Sequence, residues 1–159
     1  MYNIPQDYLI EPDTCPAFWI NRLSDVNTFL DTQIEKGHVQ TIGTSVGNRP
    51  IRAVFYGNPR QKKGTTTFSG SLGFRNVDKY LGPDANKKIY LGISGVHGGE
   101  FEGIVGTINL LSVLETGTDL TGQPWPNMTQ AAQTLDRIII IPIANPDGRA
   151  RVPIQQLTY

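Results

Sequence analysis

The chain holds 159 residues, 38% of them hydrophobic, which fits one domain with a real core and argues against a disordered segment. Fourteen basic residues balance fourteen acidic ones, so neither nucleic acid nor an anionic membrane surface is expected as a partner, and no apolar run approaches the ~20 residues that cross a bilayer. One cysteine leaves no internal disulfide and no secretory leader is visible, which favours the cytoplasm, although a mature secreted chain would look the same.

Residues 1–12, mixed polar and aromatic with two prolines, read as an N-terminal arm, and 13–159 as the domain proper. Asp13 or Thr14 offers an N-cap, Pro16 suits a first helical turn, and Trp19, Leu23, Val26 and Leu30 share one helical face. Gly37 supplies the stop, and His38 is expected to cap that helix end, where a positive imidazole is favourable. Cys15 reads as a small buried or semi-buried side chain rather than a nucleophile. Two β-rich runs follow, Val39 to Ser45 and Ile51 to Tyr56, and the Gly47-Asn48-Arg49-Pro50 turn between them predicts an antiparallel hairpin.

Asn58 to Asn86 is polar and without period, so it reads as a long surface insertion whose Lys62-Lys63 pair is solvated. Lys88 to Ser94 is a buried-strand candidate. Glu100 to Glu115 puts Ile104, Ile108 and Leu111 at helical spacing. Thr116 to Asn127 is a connection, and a short helix is expected around Gln130 to Leu135. Arg137 to Ile143 is the strongest strand: its four consecutive isoleucines cannot alternate between core and water, which predicts cover on both faces. Asn145-Pro146-Asp147-Gly148 then reads as an abrupt turn. The fold class is α/β, a mixed sheet flanked by helices.

The chemistry concentrates in Gly95-Val96-His97-Gly98-Gly99-Glu100, where a strand gives way to a helix. An imidazole and a carboxylate three residues apart are expected to face one spot, and both suit Zn²⁺. Gly98 and Gly99 would let the backbone turn between them, Gly95 would permit a close approach at the strand exit, and the helix macrodipole would favour Glu100 as an anion. Catalytic groups in open α/β sheets gather beyond the carboxyl ends of the strands. If the two apolar strands pair in parallel, this loop and the Asn145 to Gly148 turn become neighbours. His-x-x-Glu alone is a weak signal; its placement is what strengthens it.

From about Phe18 to Val152 the chain resembles the zinc carboxypeptidases of the M14 metallopeptidase family. Three pieces match in order: Ile42 to Ile51 is similar to the family's first hairpin, Ile93 to Glu100 to its strand and metal loop, and Ile139 to Gly148 to the next core strand and its turn. The resemblance implies Zn²⁺ as cofactor, with His97 and Glu100 as its first two ligands. It also implies hydrolysis of a C-terminal peptide bond by metal-activated water. Family members run to about twice this length, and their second half carries the third ligand, the general base and the substrate-gripping residues. The expected fold is therefore an incomplete phosphorylase/hydrolase-like zinc carboxypeptidase fold, with 13–159 as its N-terminal half and the missing C-terminal half as its partner.

No catalytic residue is assigned within the chain, Arg149 and Arg151 do not fall where the family's carbonyl-polarising arginine would be, and these residues alone are expected to be inactive. Gly99 stands where some family members have an arginine, which leaves substrate preference open. Alternatives are a related zinc amidohydrolase, acting on an N-acyl amino acid or a cell-wall peptide, and a non-catalytic module of the same fold.

Overall fold

Asn48 takes a left-handed backbone with φ of 59°, and the Ser45 N–H donates to the Arg49 carbonyl at 2.9 Å. That turn folds β1 (His38–Thr44) back on β2 (Pro50–Gly57) as the expected antiparallel hairpin. A computed structural model of the chain describes residues 15–59, 61 and 64–154, so the N-terminal arm, the N-cap expected at Asp13 or Thr14, and Lys62-Lys63 lie outside the described residues.

The other long edge of β2 pairs antiparallel with β4 (Arg137–Ile141), and β4 pairs in parallel with β3 (Ile89–Ile93). The sheet order is β1-β2-β4-β3, a mixed sheet. Helix α4 (Phe101–Thr116) makes the crossover from β3 to β4, the connection that parallel neighbours require. Its Ile104, Ile108 and Leu111 are fully buried with Val26, Phe29 and Leu30 of α1 (Leu23–Thr32), and all six pack with Val54, Ile138 and Ile140 of the sheet. Burying each such side chain stabilises the fold by roughly 1.5–3 kcal/mol.

The four isoleucines are not covered on both faces. Ile138 and Ile140 are buried, whereas Ile139 and Ile141 are only half-buried. The reason lies in the pleat: side chains alternate even in an all-apolar run, and the core cluster lies on the Ile138 and Ile140 face. On the opposite face, Leu91 and Ile93 stand beside Ile139 and Ile141 and are largely exposed. Strand β3, one of the two edge strands, is therefore largely exposed and not the buried strand expected for 88–94.

The first helix also starts later than expected. Pro16 and Trp19 form a separate turn, the Trp19 N–H donating to the Pro16 carbonyl at 2.9 Å. Past the helix end, the N–H groups of Glu35, Lys36 and Gly37 all point at the Glu115 carboxylate. His38 is thereby carried into β1 opposite Phe55, exposed, and caps nothing. The 58–86 insertion is not featureless: it contains α2 (Phe68–Gly73), capped by the Thr67 hydroxyl, and α3 (Asp78–Leu81), which runs into a 3-10 turn over Gly82–Asp84. The next helix, α5 (Pro126–Gln133), begins at its proline rather than at Gln130, since proline suits the first turn. Strand β4 ends at Ile141 because Pro142 has no N–H to extend the ladder. Among the described residues no helix is long and apolar enough to cross a membrane.

Candidate metal centre

Parallel pairing of β3 and β4 carries on beyond both strands. The Ser94 N–H donates to the Ile141 carbonyl, the Ala144 N–H to the Ser94 carbonyl and the Asn145 N–H to the Gly95 carbonyl, each at 2.9 Å. The loop after β3 and the segment after β4 are therefore side by side, as their apolar runs predict. Gly95 has φ of 59°, and a Cβ there would stand 3.0 Å from the Ile143 Cα, so both conformation and space call for glycine. Gly98 has no positive φ; its constraint is contact, since a Cβ would sit 2.1 Å from the Gly148 carbonyl oxygen. Gly99 meets nothing within 4 Å, so the turning role expected of it has no counterpart in contact or in left-handed backbone.

Between these glycines, His97 Nδ1 and Glu100 Oε1 approach to 2.8 Å, with side chains 74% and 68% exposed. Glu100 immediately precedes α4, whose positive end favours a carboxylate there. Two donors on one tetrahedral zinc, with bonds of about 2.0–2.2 Å, stand roughly 3.3 Å apart. The pair is within about half an ångström of that separation, and its chemistry, one imidazole nitrogen and one carboxylate oxygen, suits the ion. Among the described residues no group of three histidine, cysteine or acidic side chains gathers around any point. His38 on β1 and the half-buried Cys15 are not drawn into the site.

Asn145 to Gly148 is not a free turn but the entry to a short helix, α6 (Pro146–Arg151). The Asn145 side-chain oxygen accepts from the Gly148 N–H at 2.8 Å, the expected chemistry of an N-cap. Three side chains of this segment, two residues apart, tie it to the rest of the chain, two of them to the 95–100 loop. Asn145 Nδ2 donates to the Val96 carbonyl at 3.2 Å. Asp147 accepts from the Gly47 N–H and Arg49 Nη1, both at 2.8 Å, and from the Ser45 hydroxyl at 2.9 Å. The Gly47 N–H first, and then the Arg49 guanidinium, hold its carboxyl below the usual range.

Arg149 is the residue that sequence reasoning missed. It is 2% exposed, and its guanidinium lies 4.6 Å from the centre of the Phe101 ring. Nε donates to the Asn21 carbonyl at 2.9 Å and Nη2 to the Asn21 side-chain oxygen at 3.0 Å. Nη1 donates to the carbonyl of Gly98, between the two candidate ligands, at 3.1 Å. Further bonds reach the Val152 and Ile154 carbonyls. The available signal was its place four residues after Asn145, which becomes the same helical face once 146–151 is read as a helix. Arg151 is exposed.

A family model described as Peptidase_M14, zinc carboxypeptidase, matches residues 29–155. The chain is similar to the crystal structure of a metallo-carboxypeptidase from Burkholderia cenocepacia, with 23% identity over 80% of this chain and 27% of that one, at a TM-score of 0.52. It is similar in the same sense to thrombin activatable fibrinolysis inhibitor, with 11% identity over 91% of this chain and 30% of that one, also at 0.52. These likenesses show the fold, and the chain spans less than a third of either solved chain. Among curated proteins nothing matches.

Proposed function

Because this chain belongs to the zinc carboxypeptidase family of M14 peptidases, we propose that His97 and Glu100 are two ligands of the zinc of a metallocarboxypeptidase that hydrolyses C-terminal peptide bonds. The observation that carries this reading is the 2.8 Å approach of His97 Nδ1 to Glu100 Oε1 beyond the carboxyl end of a parallel strand, where open α/β sheets place their chemistry. Residues 13–159 are then the N-terminal part of a longer catalytic domain, and the third ligand comes from another part of it. When bound, zinc would supply Lewis acidity toward the scissile carbonyl and acidify a water.

The chain's own residues prepare that place. His97 Nδ1 and one Glu100 carboxylate oxygen lie within hydrogen-bond distance of each other, so a metal ion would enter between them, on a backbone fixed by Gly95 and by the contact of Gly98 with Gly148.

Equilibrium zinc binding and hydrolysis of a blocked dipeptide with a free C-terminus, measured on the full-length protein, test the reading. The expected result is one zinc per chain and turnover, with His97→Ala and Glu100→Ala each reducing zinc affinity at least 100-fold. Unchanged zinc stoichiometry and affinity in both variants would overturn it.

A further inference from the structure

Arg149 touches neither candidate ligand side chain, yet it holds the backbone between them. The Gly98 carbonyl that receives Nη1 is one residue after His97 and two before Glu100, and the guanidinium stacks on Phe101, the first residue of α4 directly after Glu100. The same guanidinium is fixed from its far side by two bonds to Asn21, in the segment leading into α1. The planar fork suits this task, because it donates in several fixed directions at once where an ammonium is a point charge. Enclosure at 2% exposure removes competing water from those bonds.

We infer that Arg149 is a positioning residue for the metal centre, acting through the Gly98 carbonyl and the Phe101 ring to hold the His97 and Glu100 side chains at one point. The inference rests on the ligand assignment made above. Groups that orient metal ligands from outside the coordination sphere typically change metal affinity ~10–100-fold when removed, and Arg149 stands in that relation to the loop. Asp147 braces the same helix against the β1-β2 turn but bonds to no atom of residues 95–101 in the contacts described. It therefore separates loss of the brace from loss of the loop contact.

Zinc affinity, measured by competition with a chromophoric chelator on the full-length protein, is the readout, alongside thermal midpoint and the separate kcat and KM for a blocked dipeptide. Arg149→Ala is expected to weaken zinc binding ~10–100-fold. Arg149→Lys should fall between, since one ammonium serves Gly98 or Asn21 but not both. Asp147→Ala should lower the thermal midpoint while zinc affinity stays within about twofold of the parent, well inside the outer-shell range. A folded Arg149→Ala that binds zinc as tightly as the parent, whatever its thermal midpoint, overturns the inference.

If the arginine variants do not fold, hydrogen exchange in the unmodified protein decides. Zinc should slow exchange in 145–152 as well as in 95–101, and protection confined to 95–101 overturns the inference. Failure of His97→Ala to affect zinc would instead strike at the ligand assignment, so the two failures are distinguishable.

Discussion

Helix α4 carries a glutamate at each end, and the two are used in opposite ways. Glu100, at the positive end of the helix dipole, is largely exposed and meets only His97 among its described side-chain partners. Glu115, one residue from the negative end, is 7% exposed and surrounded by donors. It accepts from the N–H groups of Lys36 at 2.8 Å, Gly37 at 3.0 Å and Glu35 at 3.1 Å, and from the Tyr56 hydroxyl at 2.7 Å. The Lys36 ammonium meets the Glu115 main-chain carbonyl as well.

Burial alone would raise the Glu115 pKa, but the Lys36 N–H, the Tyr56 hydroxyl and the other two N–H groups outweigh it and hold the carboxyl below its ordinary value. Tyr56 moves the other way: burial, then its bond to this carboxylate, pushes the phenol far up. The same side chain at the two ends of one helix is thus a structural rivet where its lone pairs are filled by four donors and a candidate ligand where a single imidazole meets it. Exposure and partner count, rather than residue type, separate the two roles.

Removing each carboxylate should therefore have opposite consequences. Glu115→Ala leaves four part-buried donors without their acceptor; at ~1–3 kcal/mol for an unsatisfied buried group, and less where water reaches the exposed Glu35 and Lys36, the expected loss is about 2 kcal/mol in urea unfolding, with zinc affinity unchanged. Glu100→Ala should change stability by less than about 0.5 kcal/mol, as an exposed substitution does, while zinc binding is lost. A Glu115 variant as stable as the parent would break the comparison at once.

Acid should find the same difference. A carboxyl whose pKa is depressed on folding stabilises the native state above its unfolded pKa, near 4.5 for Glu115, and that contribution disappears as pH falls through the folded value. The urea midpoint should therefore decline on acidification below about pH 4.5. The part of this decline that Glu115 supplies should be absent in Glu115→Gln.

The rivet and the site were not equally legible in the amino-acid order. His97 and Glu100 are three residues apart in a glycine-rich loop, so their convergence follows from local spacing, and the adjacency of 95–100 to 145–148 follows from two apolar runs joined by a helix. Glu115 meets partners about 80 positions away, and no local pattern marks it, which is why the link before β1 reads locally as a helix stop capped by His38. Arg149 was hidden for the same reason: its partner Asn21 lies 128 positions away. Exposure of β3 could not be seen either, because Leu91 and Ile93 look equally apolar on a covered or an open face. Of the short helices of 58–86 only α2 has a side-chain cap, at Thr67, and none is long enough to show a period.

Two adjacent glycines sharpen the contrast on a smaller scale. Gly98→Ala drives a methyl to 2.1 Å from the Gly148 carbonyl oxygen. Because that neighbour is backbone, the loop or α6 must move, at a cost typical of overpacking, about 2 kcal/mol, and zinc affinity should fall with it. Gly99→Ala meets open space and has no left-handed backbone to strain. Restricting the unfolded chain should then stabilise by up to about 0.5 kcal/mol, with zinc affinity kept, as thermal denaturation and metal titration of the pair will register. Equal effects at the two positions would mean that the loop is not held against α6 at Gly98, and the structural basis for its preorganisation would fall with it.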